Sequence, residues 1–444
     1  MKTAKFFAIA FALIAASLHA DERYEQNFNR TLTYRGGRVT IENRFGGIDI
    51  RTGSGRNVVV RAVIRSSDAE IGRSIRIETS EGASGVTVKT VMPSIISHHG
   101  QLSFSVDYDV VVPDEAPLYV SNHFGSIAAT GIRAASEFVN RQGSLTLRDS
   151  GGRQRLENSF GSITVDHANG SVEATNTNGS ISASRIEGRI AATNRFGSVT
   201  IDGVKGDVSA TNANGSVDVR DVGGSAAVAN GFGSTRVNRI THNATISSNN
   251  GRIEAHNIGG IATVSGSFDT IELTDVGGPA TISNGNGAVN VADIRGNLSV
   301  ETRFGPVRVE RIRGSINVAN QNGSVTASDV TGNATVRGSF GSVFLKGVDG
   351  AVDVQNQNGG ISVAGLRGAC NAVNLRTSFA TIKVAVPRSV GYNVEARTSF
   401  GSINAEVPIN VIRRSDETLT GTINGGGCKM DLVNANGGVT ITGE

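Results

Sequence analysis

The sequence predicts an all-β, single-chain β-solenoid, a right-handed β-helix of 18-residue coils with β-rich end caps. Three observations predict it. First, taking the glycine of each Phe-Gly or Asn-Gly pair as position zero, the column runs from Gly125 to Gly359 at a strict spacing of eighteen, with Asp269 standing in once. Second, apolar residues recur at fixed offsets within every unit, as in Val199 and Ile201, then Val204, then Val208 and Ala210. Third, the chain holds 57 Gly, 7 Pro and no Trp, so it is rich in turn formers and short of the bulky residues that fill a wide core.

Each element follows from these columns. Residues 1–20 carry Lys2 and Lys5, an apolar run from Phe6 to Ala16 and a small residue at Ala20, the pattern of a cleaved secretory signal peptide. Eleven apolar residues are too few for a span of about 20. Residues 21–120 form an N-terminal β cap, since a solenoid must close its terminal coils. This cap holds one coil-like phrase, NRFGGIDIRTG, with Phe45, Ile48 and Ile50, and longer alternating strands in NVVVRAVIR and SFSVDYDVVVP.

The regular solenoid covers residues 121–368. Positions two and four share one strand face, position seven adds an apolar residue after a turn, and positions eleven and thirteen begin the second inward strand. A unit of two short strands cannot bury its own apolar face, but stacked copies can, at one strand spacing of about 4.8 Å per coil. Position fifteen is a column of Asn (Asn158, Asn176, Asn194, Asn212, Asn230, Asn284, Asn320, Asn356) that strand parity points inward, where stacked amides can bond one another and the turn backbone. Position seventeen alternates Phe160, Asn178, Phe196, Asn214, Phe232, Asn250 along the chain. By the same parity Phe is expected inside, tilted, taking height from the adjacent coil where a smaller Asn leaves room. Duplication of a 36-residue unit accounts for the alternation equally well.

Residues 369–444 form irregular C-terminal coils and a cap. There the period loosens, with Phe379 and Phe400 twenty-one apart, before DLVNANGGVTITGE returns to register at Asn434 and Asn436. Cys370 and Cys428 lie roughly three coils apart in sequence. That exceeds the ~7 Å Cα limit and weighs against a disulfide, although an oxidising compartment favours one.

The phrases VVVPDEAPLYVSNHFGSI, the repeated NGSV and FGSI, and the closing GTINGGG and NANGGVTI resemble the bacterial "putative adhesin" β-strand-repeat domain, a family of unknown function, from about residue 35 to the end. The resemblance implies an exported β-solenoid of the cell envelope, periplasmic, secreted or on the surface. It carries no established catalytic or binding residues onto this chain.

The chemistry is sparse. Without Lys2 and Lys5 the chain has 40 basic against 39 acidic residues, scattered, which lacks the basic footprint of nucleic-acid binding. Glycoside cleavage needs two facing carboxylates. Asp149, Asp221, Asp275, Asp293 and Asp329 instead recur at position six beside a turn, with Asp166, Asp202 or Glu310 one place earlier in other coils, and read as solvated turn residues. The nonapeptide calcium roll needs glycines that are missing here. His98 and His99 lack the further ligands of a zinc site. No residue is assigned as catalytic, cofactor-binding or metal-ligating, and no cofactor is expected.

One strip is distinctive. Thr245 and Ser247, Thr263 and Ser265, and Thr281 and Ser283 face outward on three successive coils. It could meet another chain, a glycan or ice, though β-propensity alone also selects Thr. The functional expectation is a non-enzymatic exported cell-envelope or surface protein, an adhesin presenting an extended binding surface to a glycan, envelope component or protein, and not an integral membrane protein. The alternative is a carbohydrate-active enzyme on a β-helix scaffold.

Overall fold

The computed structural model describes residues 24–93, 102–368 and 370–444. The expected signal segment and the His98–His99 pair lie outside them. Two parallel sheets wind around one continuous apolar core. In each coil a six-residue strand such as Val199–Val204 lies in sheet I, and a seven-residue strand such as Val208–Asn214 lies in sheet II. Register is eighteen through the regular stack: Val199 pairs with Val217, and Val208 with Ala226. The predicted β-solenoid is therefore the observed fold.

Each coil turns on a few positions that defy ordinary strand geometry. Gly215 has φ +125°, and a Cβ there would stand 2.2 Å from the Gly197 carbonyl oxygen in the coil before. No side chain fits that approach. Position six also has positive φ wherever it is not glycine: Asp149 (φ 50°), Arg185 (φ 55°), Asp221 (φ 55°) and Arg311 (φ 56°). The residue there drops out of the ladder, since Arg148 pairs with Asp166 and Ser150 with Ala168 while Asp149 is skipped. This is a bulge repeated at every coil. One inserted residue reverses which way the following side chains face, and so Ile186, Val204 and Val222 at position seven are buried.

Position sixteen is skipped in the same way: Asn158 pairs with Asn176 and Phe160 with Asn178. The reversal corrects the expectation for position seventeen. Phe124, Phe160, Phe196, Phe232, Phe268, Phe304 and Phe340 point outward and are between 42% and 56% exposed. The steric reason for alternation fails too. Phe45 and Phe124 sit on adjacent coils with rings stacked at 4.9 Å and 2° between planes, so neighbouring coils can both carry Phe.

The Asn column stays inside as expected. Asn176 Nδ2 donates to the Gly161 carbonyl at 2.9 Å, and Asn194, Asn212, Asn320 and Asn356 make the same bond to the glycine of the preceding coil. At Asn158, Asn176 and Asn356 the Oδ1 also accepts the position-sixteen N–H, which caps the bulge. The ladder thus bonds turn backbone, and its bonds run from amide to carbonyl rather than from amide to amide.

Both ends depart from simple stacking. At the N-terminus the coil Arg38–Gly53 lies between strands Gly85–Val91 and Phe104–Pro113 outside it and Leu118–Thr130 inside it. Strands Tyr24–Thr33, Asn57–Ser66 and Arg76–Gly82 then cover the outer rung antiparallel. At the C-terminus the last strands, Cys428–Asn436 and Val439–Gly443, insert between Val373–Val386 and Tyr392–Ala405. The antiparallel strands Thr418–Ile423 and Asn410–Arg414 cover the outside. The coil Arg38–Gly53 and the last two strands are therefore each gripped on both edges.

That insertion overturns the expectation for the cysteines. Met430 pairs with Val373, which brings Cys428 beside Cys370, and the two form a disulfide with Cα atoms 5.3 Å apart. The three-coil separation in sequence is no separation in space. Phe379 and Phe400 lie on the two strands that flank the inserted one. Among the described residues there is one short helix, Ala69–Ser74, capped by Asp68, whose side chain accepts from the Glu70 and Ile71 amides.

Candidate functional site

The bulge at position sixteen and the turn glycine at position zero together push position seventeen onto one corner of the rod. Alternate coils place Phe there, about 9.6 Å apart along the axis, with Asn or Gln between. Phe379 is 51% and Phe400 75% exposed, so the ridge continues onto the irregular coils. Most of the exposed large apolar side chains among the described residues fall on this one line. Sequence reasoning had the residues and the wrong face; the odd step from position four to position seven was the signal that bulges reverse facing in this repeat.

Beside the ridge, in the C-terminal third, a groove of about 600 Å³ runs along the outer face of sheet II. It lies where strand Val352–Gln355 is cut to four residues, the one short sheet II strand of the regular stack. Gln321, Gln355, Gln357, Arg337, Arg376 and Ser378 line it, and no carboxylate or imidazole does. Arg337 donates to Asp353 at 2.9 Å and Arg376 to Asp431 at 3.1 Å, so both guanidiniums are charge-balanced yet half exposed. The groove is neutral and rich in amide, hydroxyl and guanidinium donors.

The acidic column is organised rather than merely solvated. Arg239 donates to both oxygens of Asp221 from the next coil (2.5 and 2.6 Å), and Arg311 does so to Asp293 (2.8 Å twice). These hydrogen bonds, reinforced by the charge of the guanidinium, hold the Asp221 and Asp293 carboxyls below the usual carboxylate range. Asp329 pairs with Arg367 and Asp149 with His167. Among the described residues no group of three His, Cys, Asp or Glu could hold a metal ion, and no helix is long and apolar enough to cross a membrane.

The hydroxyl strip lies where it was expected, on the outer face of sheet II. Thr245, Thr263 and Thr281 stand in register, as do Ser247, Ser265 and Ser283, and all six are exposed.

What the fold and the exposed corner define is a β-solenoid rod with one aromatic edge. No family model and no curated protein matches the chain. A crystal structure of a "putative cell adhesion protein" from Clostridium sporogenes ATCC 15579 is similar over 95% of this chain and 100% of that chain, at 8% identity and a TM-score of 0.18.

Proposed function

We propose that the chain is a non-enzymatic, exported cell-envelope or surface protein that works as an adhesin, presenting its aromatic corner as an extended binding surface for a linear, neutral glycan. The observation that carries this reading is the groove lined by amides, hydroxyls and balanced guanidiniums, running along the rod beside Phe340, Phe379 and Phe400. Hydroxyl-rich polymers offer a mix of donors, acceptors and flat C–H faces, which such amides and half-exposed rings complement. A glycosidase would need a pair of carboxylates at the scissile bond, and no residue of the groove supplies one. Export rests on the tripartite segment at residues 1–20 and on the resemblance to adhesin repeats.

The test is co-sedimentation of the mature chain with a panel of insoluble neutral polysaccharides. Binding to at least one is expected, weakened tenfold or more by Phe340→Ala with Phe379→Ala, and by Gln355→Ala with Gln357→Ala. Binding that survives both double substitutions, or none across the panel, defeats the reading. Release of reducing ends from the bound polymer would favour the enzyme instead.

A further inference from the structure

The middle of sheet II differs from every other outer face. From Val208 to Asn286 its five strands carry no charged side chain: the outward residues are Ser209, Thr211, Ala227, Ala229 and the three Thr-Ser pairs from Thr245 to Ser283. Charge returns on both sides, at Arg195 and at Glu301 and Arg303. In the same coils sheet I is heavily charged outside, with Arg236 bonded to Glu254 and Arg252 to Glu272. Solubility and resistance to edge or face association are ordinarily secured by scattered charge. Here charge is withheld from one face only.

We infer that this face, with the adjoining ridge Phe196, Phe232, Phe268 and Phe304, docks a second copy of the same chain. Three features favour a copy over another occupant. Ser, Thr and Ala project little, so two such sheets can approach closely and interlock as small-residue faces do. The ridge is self-complementary: a two-fold axis along the strand direction, set between coils, places each Phe opposite the Asn gap of the other ridge, a knob over a hole. This gives the alternation at position seventeen a use that core packing does not. The area suffices as well. Five strands about 4.8 Å apart and seven residues of about 3.3 Å, the ring position included, give roughly 550 Å² per copy, and both copies together reach the ~1,000 Å² of a specific interface. Such a dimer runs its rods antiparallel.

The inference assigns the ridge from Phe196 to Phe304 to the partner copy, while the glycan reading rests on the groove beside Phe340, Phe379 and Phe400. Its test is sedimentation velocity of the mature chain at concentrations on the order of 10 μM. A dimer is expected. Thr263→Arg with Ser265→Arg should convert it to monomer, and Phe232→Asn with Phe268→Asn should weaken it tenfold or more, with the circular dichroism spectrum unchanged in both. Thr200→Arg, outward on sheet I, should leave the dimer intact. A monomeric wild-type chain overturns the inference, as does a dimer indifferent to Thr263→Arg with Ser265→Arg. A monomer whose retention on an insoluble polysaccharide is lost with the same substitutions assigns the face to glycan and equally overturns it.

Discussion

At the scale of single residues, the coil depends on glycine where backbone meets backbone. Gly215→Ala should destabilise the chain by about 2–4 kcal/mol, because the new Cβ would overlap the Gly197 carbonyl and the φ of +125° is strained for any side chain. Asp269 tests the converse. It occupies position zero at φ +88°, held by its Oδ1 accepting the Thr270 amide at 2.6 Å, and Asn284 still reaches its carbonyl. Asp269→Gly should therefore be neutral or stabilising by up to about 1 kcal/mol, the order of the left-handed penalty. Thermal unfolding checks both. The columns made these residues legible in sequence; the facing of Phe was not, because a bulge shows only as a missed count in the ladder.

Elements answer to charge and covalent closure. Hydrogen bonds from Arg153, Arg239, Arg236 and Arg311 hold Glu173, Asp221, Glu254 and Asp293 respectively below the usual carboxylate range. A depressed folded pKa contributes stability above the unfolded value of about 4 and loses it as pH falls through the folded value. Tm should be flat above pH ~5 and fall below pH ~4, each exposed pair contributing little and the fall shrinking in high salt. A Tm unchanged down to pH 2 would contradict this. The Cys370–Cys428 bridge spans 58 residues. Chain entropy assigns a loop of that length about 4 kcal/mol. Reduction should lower the stability of the C-terminal coils by about that amount, read as lost amide protection between Val373 and Asn436 with the central coils unaffected.

The whole molecule behaves as a rod of nearest-neighbour contacts whose ends are locked. Coils from Ile127 to Phe340 touch only their own neighbours, so damage at one end should stay there. Removing residues 428–444 takes a rung from between Val373–Phe379 and Tyr392–Phe400 and exposes two strand edges. Hydrogen exchange should then show residues 373–423 unprotected while residues 127–340 keep their protection; full protection of 373–423 would contradict the intercalated order. The same order implies that the C-terminal coils cannot close until the last strand is made.

The sequence by itself determined the coil, its period, its inward apolar columns and the Asn ladder, since each is a local pattern that stacking repeats without change. Where DLVNANGGVTITGE rejoined the register could be read, but not between which coils. Tertiary structure alone decided three things: that Phe lies outside, that each terminal coil is tucked one rung in, and that the cysteines meet. Bulges reverse facing without altering the eighteen-residue count, and parallel strands accept any neighbour in register, so periodicity fixes the columns and leaves facing and order to packing.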